Sequence, residues 1–537
     1  MYDMVAHTQM LGARLKNIDK LNTTIKNQNT MGILDTINKR NDSELKTTKG
    51  FYFGSTEAEG ENVEGSSLLD YFEDYLGILN QLQIGKFIFT GRKGVGKSAI
   101  AKFIHDKSEN ADDSYAKLLR VNDIEIEKII QFSDENETKE QLIFEWLILV
   151  NVVKLIISNY CGEHTNEFSK LRKFLEINSG IVNVDSYQLV QGEKNKGGEV
   201  NFAMLKPAFG GVFKNYFNSK IDKAPFYKLI PPLKDILKII LNYPVNKDLE
   251  FWLLFDDLDI NFDVRSDVDT AKIMNLIRIS KFYNNEIFKN NKAKILIFLR
   301  EDIRNSIVSK YADSAKIFST YEININWYNE NNEDDIPLKK LANRRIKLNF
   351  ERHNIPCGDD PWSNLFKSGK CELAYYSGKS AFKYVLDFTF YRPRDIITFL
   401  MMVTKENYHF PIDDENLKKI LKRYIDVNID EIKSELKLFF NDEEIEKLFY
   451  DLFSSIANSY SDISVTEFKQ KIELLNLSLE TELVFDLLSK YYLLSFKNDK
   501  GSVFFLYRLK AAVDKLDLER TYVSLPKCLY HYFRKIN

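Results

Sequence analysis

The run Gly91-Arg92-Lys93-Gly94-Val95-Gly96-Lys97-Ser98 has the residue types and spacing of a loop that cradles phosphate. Glycines at 91, 94 and 96 let the backbone curl until its N–H groups converge on one anion. A helix starting near Lys97 would add its positive end. Lys97 then reaches the β- and γ-phosphates of a nucleoside triphosphate, the Ser98 hydroxyl binds Mg²⁺, and Ala99 completes the cradle. Such a loop needs an acidic partner for the metal. The run "FWLLFDDLD" offers one, because its apolar residues end in Asp256 and Asp257. Asp256 is expected to hold Mg²⁺. Asp257 is expected to orient the attacking water, with a supporting role at the metal as the alternative. Asp259 is read as a cap of the next element. A third run, "KILIFLRED", ends in Arg300. This guanidinium either senses the γ-phosphate or pairs with Asp302 or Asp256.

These side chains meet only if particular elements carry them. "KFIFTG", "KLLRVN", "FWLLFDD" and "KILIFLR" are short apolar runs bounded by polar turns, and amphipathic stretches separate them. Strand and helix alternation predicts an α/β fold with a parallel sheet, and the carboxyl ends of its strands would gather the candidate residues. The chain divides into an N-terminal arm and linker (1–67), an α/β core (68–330) with an insertion at about 162–245, a helical lid (331–412) and a mainly helical C-terminal domain (413–537). In the last of these, two helices precede strand-like runs joined at "NDKG", which is the order of a winged helix.

With 537 residues the chain exceeds a single core. It carries 75 basic and 78 acidic residues, so no overall field draws it to nucleic acid or membrane. Four cysteines without close pairing suit a reducing cytoplasm. His353, Cys357 and Cys371 lack an obvious fourth ligand for zinc. The most apolar stretch, "LIFEWLILVNVVKLIISNYC", is interrupted by Glu145, Asn151 and Lys154, which favours a buried helix over a membrane span. A cytoplasmic location is expected.

The three strand ends, in this order, resemble the ASCE branch of P-loop ATPases, specifically its AAA+ and STAND groups. The paired "DD" and the arginine of "LRED" look more like STAND proteins, and "YRPRDIITFL" resembles the lid motif of origin-recognition and STAND ATPases. The resemblance implies ATP and Mg²⁺ as cofactors and a lid arginine on the nucleotide, Arg394 ahead of Arg392. It also implies an arginine supplied by a neighbouring subunit, for which Arg304, Arg344 and Arg345 are candidates. The set is similar to stand-alone bacterial ATPases of anti-phage defence loci. Two departures are a long separation between Lys97 and Asp256 and the lack of a visible repeat array.

The leading expectation is a slow regulatory ATPase that forms a homo-oligomer when ATP is bound and controls a separate effector protein. The alternative is a DNA-binding AAA+-type ATPase of replication or transposition. Glu480, Glu482 and Asp486 on the second helix of the winged-helix-like unit argue against DNA contact there. A third reading is a nucleotide-stabilised scaffold with little turnover.

Overall fold

The computed structural model describes residues 47–61, 67–120, 138–158, 166–178, 199–243, 246, 248–258, 267–289, 293–329, 332–367, 371, 378–459, 462–498, 503–504 and 521–534. Asp259 lies outside these residues, as do residues 1–46 and 62–66 of the expected arm and linker and residues 179–198 of the insertion.

Five strands build the central sheet: β1 (Ile88–Gly91), β2 (Ser114–Arg120), β3 (Glu250–Asp256), β4 (Ala293–Arg300) and β5 (Glu322–Asn324). They run parallel in the order β2-β3-β4-β1-β5. Leu253, Leu254 and the run from Ile295 to Leu299 are almost wholly buried, as expected of strands covered on both faces. The register decides which side chains share an edge. Arg120 pairs with Asp256, and Gly91 pairs with Arg300. The C-terminal ends of four strands therefore open onto one place.

Several helices cover or extend this sheet. Helix α1 (Lys97–Glu109) follows β1 directly and packs on β2, β3 and β4. Helix α2 (Thr138–Ser158) contains the 18-residue stretch Gln141–Ser158, long and apolar enough by composition to cross a membrane, but 72% of it is buried inside the protein. It packs against α3 (Phe226–Leu241) and α4 (Asp267–Phe282), and Lys234 of α3 pairs with Glu145 at 2.7 Å. Helix α5 (Glu301–Lys310) continues from β4.

The chain then becomes mainly helical, through α6 (Pro337–Arg352), α7 (Pro393–Val403) and α8 (Asp414–Leu436). Residues 47–61, read from sequence as arm and linker, are pinned to these helices. Thr48 donates its N–H to the Tyr408 carbonyl, and Tyr52 donates to Asn349 Oδ1 at 2.6 Å. Buried Phe51 and Phe53 fasten the segment further, because apolar ring area outweighs its polar flanks. Beyond α8, strand β6 (Ile463–Ser464) leads into α9 (Val465–Leu474) and α10 (Thr481–Lys490), then β7 (Ser495–Asn498), β8 (Val503–Phe504) and β9 (Thr521–Ser524). These four strands form an antiparallel sheet in the order β8-β7-β9-β6. Strand β7 pairs with both β8 and β9.

Candidate functional site

The turn between β1 and α1 depends on its glycines. Gly94 and Gly96 have φ of 81° and 95°, in the left-handed region that side-chain-bearing residues avoid. A Cβ on Gly94 would also stand 3.2 Å from the Arg394 Cβ, so the loop and α7 approach only because that atom is missing. The Arg394 N–H points to the Gly94 carbonyl at 3.4 Å. Lys97 folds back over the loop and donates to the carbonyls of Gly91 and Arg92 at 3.1 and 3.0 Å.

Asp256 comes from far downstream yet meets this loop. Its carboxylate lies near enough to Ser98 and to Lys97 for both to favour its charged form. Burial and the neighbouring Asp257 push its pKa from the ordinary 3.8 up to about 6, and Ser98 and Lys97 offset only part of that. Its Oδ2 is buried without a hydrogen-bond partner, a need that a cation could meet. Asp257 has φ of 54°, unusual for a non-glycine residue, and strain of this kind gathers at functional positions. Its Oδ2 lies 3.5 Å from Arg120 Nε.

A cavity of about 430 Å³ opens over the loop. Its wall includes the loop residues Lys93, Gly94, Val95, Gly96, Lys97, Ser98 and Ala99, with Asp256, Asp257, Arg120, Arg300 and Arg394. The same wall carries the apolar or aromatic Tyr71, Tyr75, Leu76, Ile78, Leu341 and Ile397 and the charged Glu61, Glu73, Asp74 and Arg345. Tyr75 is held 4.0 Å from the Trp327 ring, and Trp327 Nε1 donates to the Val95 carbonyl at 2.9 Å. The volume falls within the range of small-ligand sites.

Residues 337–433 match a family model described as the FunZ-associated C-terminal helical domain. No curated protein matches the chain. The matched stretch, less than a fifth of the chain, spans α6, α7 and most of α8. It contributes Leu341, Arg345, Arg394 and Ile397 to the cavity wall.

Not every candidate from the sequence turns toward the cavity. Gly91 and Arg92 are not among its lining residues. Arg92 lies with its guanidinium 3.6 Å above the Tyr492 ring, because the loop's curl sends position 92 toward the C-terminal module. Arg300 lines the cavity but also pairs with Asp302 at 2.6 Å and donates to Tyr491 Oη at 3.2 Å. Arg394 lines the cavity and pairs with Glu431 at 2.7 Å. Arg392 instead grips Asp395 at 2.7 Å and is buried.

The three arginines considered for a neighbouring subunit all have partners within this chain. Arg345, only 3% exposed, makes a buried pair with Glu61 at 2.7 Å, which removes it from any neighbour's reach. Arg304 pairs with Glu322, and Arg344 donates to the Asp70 carbonyl. Among the described residues the side chains of His105, Asp106 and Glu109 bring their ligand atoms within 4.8 Å of one another, whereas His353, Cys357 and Cys371 form no such group.

Sequence alone singles out neither Arg120 nor the aromatic part of the cavity wall. Arg120 is one basic residue at a strand end, and only the register sets it beside Asp256. For the aromatic wall, the spacing in "LLDYFEDYLGIL" is a signal, since Leu68, Tyr71, Phe72 and Tyr75 share a helical period.

Proposed function

We propose that the chain is a slow Mg²⁺-dependent ATPase that regulates a separate effector protein. One observation carries the reading: buried Asp256, from a distant strand, is brought beside Ser98 and Lys97 at the wall of a cavity that residues 93–99 also line. The chemistry follows from the donor set. N–H groups of residues 93–99 and the Lys97 ammonium would hold the phosphates, and the aromatic and aliphatic side chains of the lining would take the base. Ser98 and Asp256 would hold Mg²⁺, which when bound neutralises the phosphate oxygens. Asp257 would orient and deprotonate water, while Arg300 and Arg394 would stabilise charge on the γ-phosphate. Asp257 is one methylene shorter than glutamate and sits beside Arg120, and both features favour low turnover.

The strand order and the helices after β5 support the resemblance to AAA+ and STAND ATPases. The helix pair and β6–β9 have the make-up of a winged helix. The matched helical family is defence-associated, which supports a role in anti-phage defence with an effector encoded apart, and assembly in the ATP-bound state belongs to the same proposal. Nothing favours the DNA-binding alternative. Lys469, Lys490 and Lys497 of the helix–strand module are paired with Glu482, Asp486 and Asp462, so their charge is already compensated.

Calorimetric titration with MgATP tests the core of the proposal. The parent chain should bind, and Lys97→Ala should lose binding. Asp257→Ala should bind and fail to hydrolyse. Equal MgATP affinity in the parent and Lys97→Ala would overturn the reading.

A further inference from the structure

Two consecutive tyrosines at the end of α10 reach into the edge of the cavity's machinery. Tyr491 Oη donates to Asp302 Oδ2 at 3.1 Å and accepts from Arg300 Nη2 at 3.2 Å. Its backbone carbonyl accepts from Arg92 Nη2 at 3.3 Å. Tyr492 lies under the Arg92 guanidinium at 3.6 Å from ring centre to Cζ, close enough for a strong cation–π contact. Both rings are mostly buried, and burial raises the pKa of both phenols, so each stays neutral.

The backbone there is strained in a telling way. Tyr492 has φ of 59°, and Leu493 N–H returns to the Leu488 carbonyl, the helix ending in which glycine usually occupies the left-handed position. Glycine would relieve the strain but would carry no ring to place on Arg92. A tyrosine held in this conformation is expected where its contact matters.

We propose that Tyr491 and Tyr492 form a latch by which the C-terminal module competes with the γ-phosphate for Arg300 and holds the phosphate loop through Arg92. The inference rests on the nucleotide reading above. Arg300 directs Nε and Nη2 to Asp302, and Nη2 also to Tyr491. A γ-phosphate that turns this planar group toward itself draws Nη2 from Tyr491. Lys97 currently bonds the Arg92 carbonyl, and its turn toward phosphate frees the backbone that presents Arg92. ADP lacks the group that competes for Arg300. Binding and release are then linked, so whatever ATP costs the latch, loss of the latch returns to ATP affinity.

The test uses the full chain carrying Tyr491→Phe and Tyr492→Gly together, with ADP and an ATP analogue whose β–γ bridge cannot be cleaved. Glycine suits the helix end, so the module keeps its fold. The variant should bind the ATP analogue roughly tenfold tighter than the parent, the loss of one charged hydrogen bond and one cation–π contact, with ADP affinity changed less than twofold. Amide hydrogen exchange of the parent should speed up across residues 491–498 with the ATP analogue and not with ADP. An unchanged ratio of the two affinities, or identical exchange in both nucleotide states, overturns the latch while leaving nucleotide binding intact. If neither nucleotide binds the parent chain, the proposed function fails and the latch falls with it.

Discussion

Asp256→Asn should make the nucleotide-free protein more stable while removing its response to MgATP. Burial and the charge of Asp257 raise the Asp256 pKa from 3.8 to about 6. Below pH 3.8 the carboxyl is neutral folded and unfolded, and the site costs nothing. As pH rises through about 6, the unfolded chain has already released this proton, and the folded chain must bury the charge. Stability is therefore lost across this window, and the full cost, about 3 kcal/mol, is present above it. Asparagine is isosteric, keeps an acceptor oxygen near Ser98 and carries no charge. Thermal unfolding of parent and variant without metal, followed from pH 4 to pH 8, should show equal Tm near pH 4. Near pH 7.5 the variant should lead by roughly 3 °C. MgATP should raise the Tm of the parent and leave the variant unmoved. A variant no more stable than the parent at pH 7.5, or a gap independent of pH, would refute the reasoning that a cation site is held ready at a desolvation cost.

Arg120→Gln should free Asp257 from a half-exposed pair and raise turnover about two- to fivefold with little change in ATP affinity, read from the split between kcat and KM. Arg345→Met should leave Glu61 charged and buried, costing about 3–5 kcal/mol locally and exposing residues 47–61 to proteolysis. Undiminished protease resistance would show that this clasp does not hold the segment. Gel shifts with duplex DNA should reveal no strong, salt-sensitive complex through the α9–α10 module, because Lys469, Lys490 and Lys497 are already paired. A tight complex that weakens steeply with salt would revive the DNA reading.

Local chemistry made several elements legible in advance. The left-handed conformations at 94 and 96 need glycine, and the apolar runs ending in Asp256 and Arg300 read as buried strands whatever surrounds them. The parallel sheet and the helical region after it follow from the same periodicities. Arg92 shows the limit of such reasoning. It belongs to the loop by spacing, yet its side chain is claimed by Tyr492, roughly 400 residues later in the chain. The exposure of Arg345 was equally unreadable, since the partner Glu61 lay in a segment that composition marked as a linker.

What the amino-acid order determined alone is the set of local conformations and the residue types that they carry: a curled loop, strand ends bearing carboxylates and arginines, and amphipathic helices. These depend on steric limits and periodicity within a few residues. Only the tertiary structure decided which of those groups face one another. Sheet register set Arg120 beside Asp256, and helix packing carried Arg394 to Gly94 and Tyr491 to Arg300. Contacts between distant segments depend on the whole fold's packing, and no short window of residues contains that information.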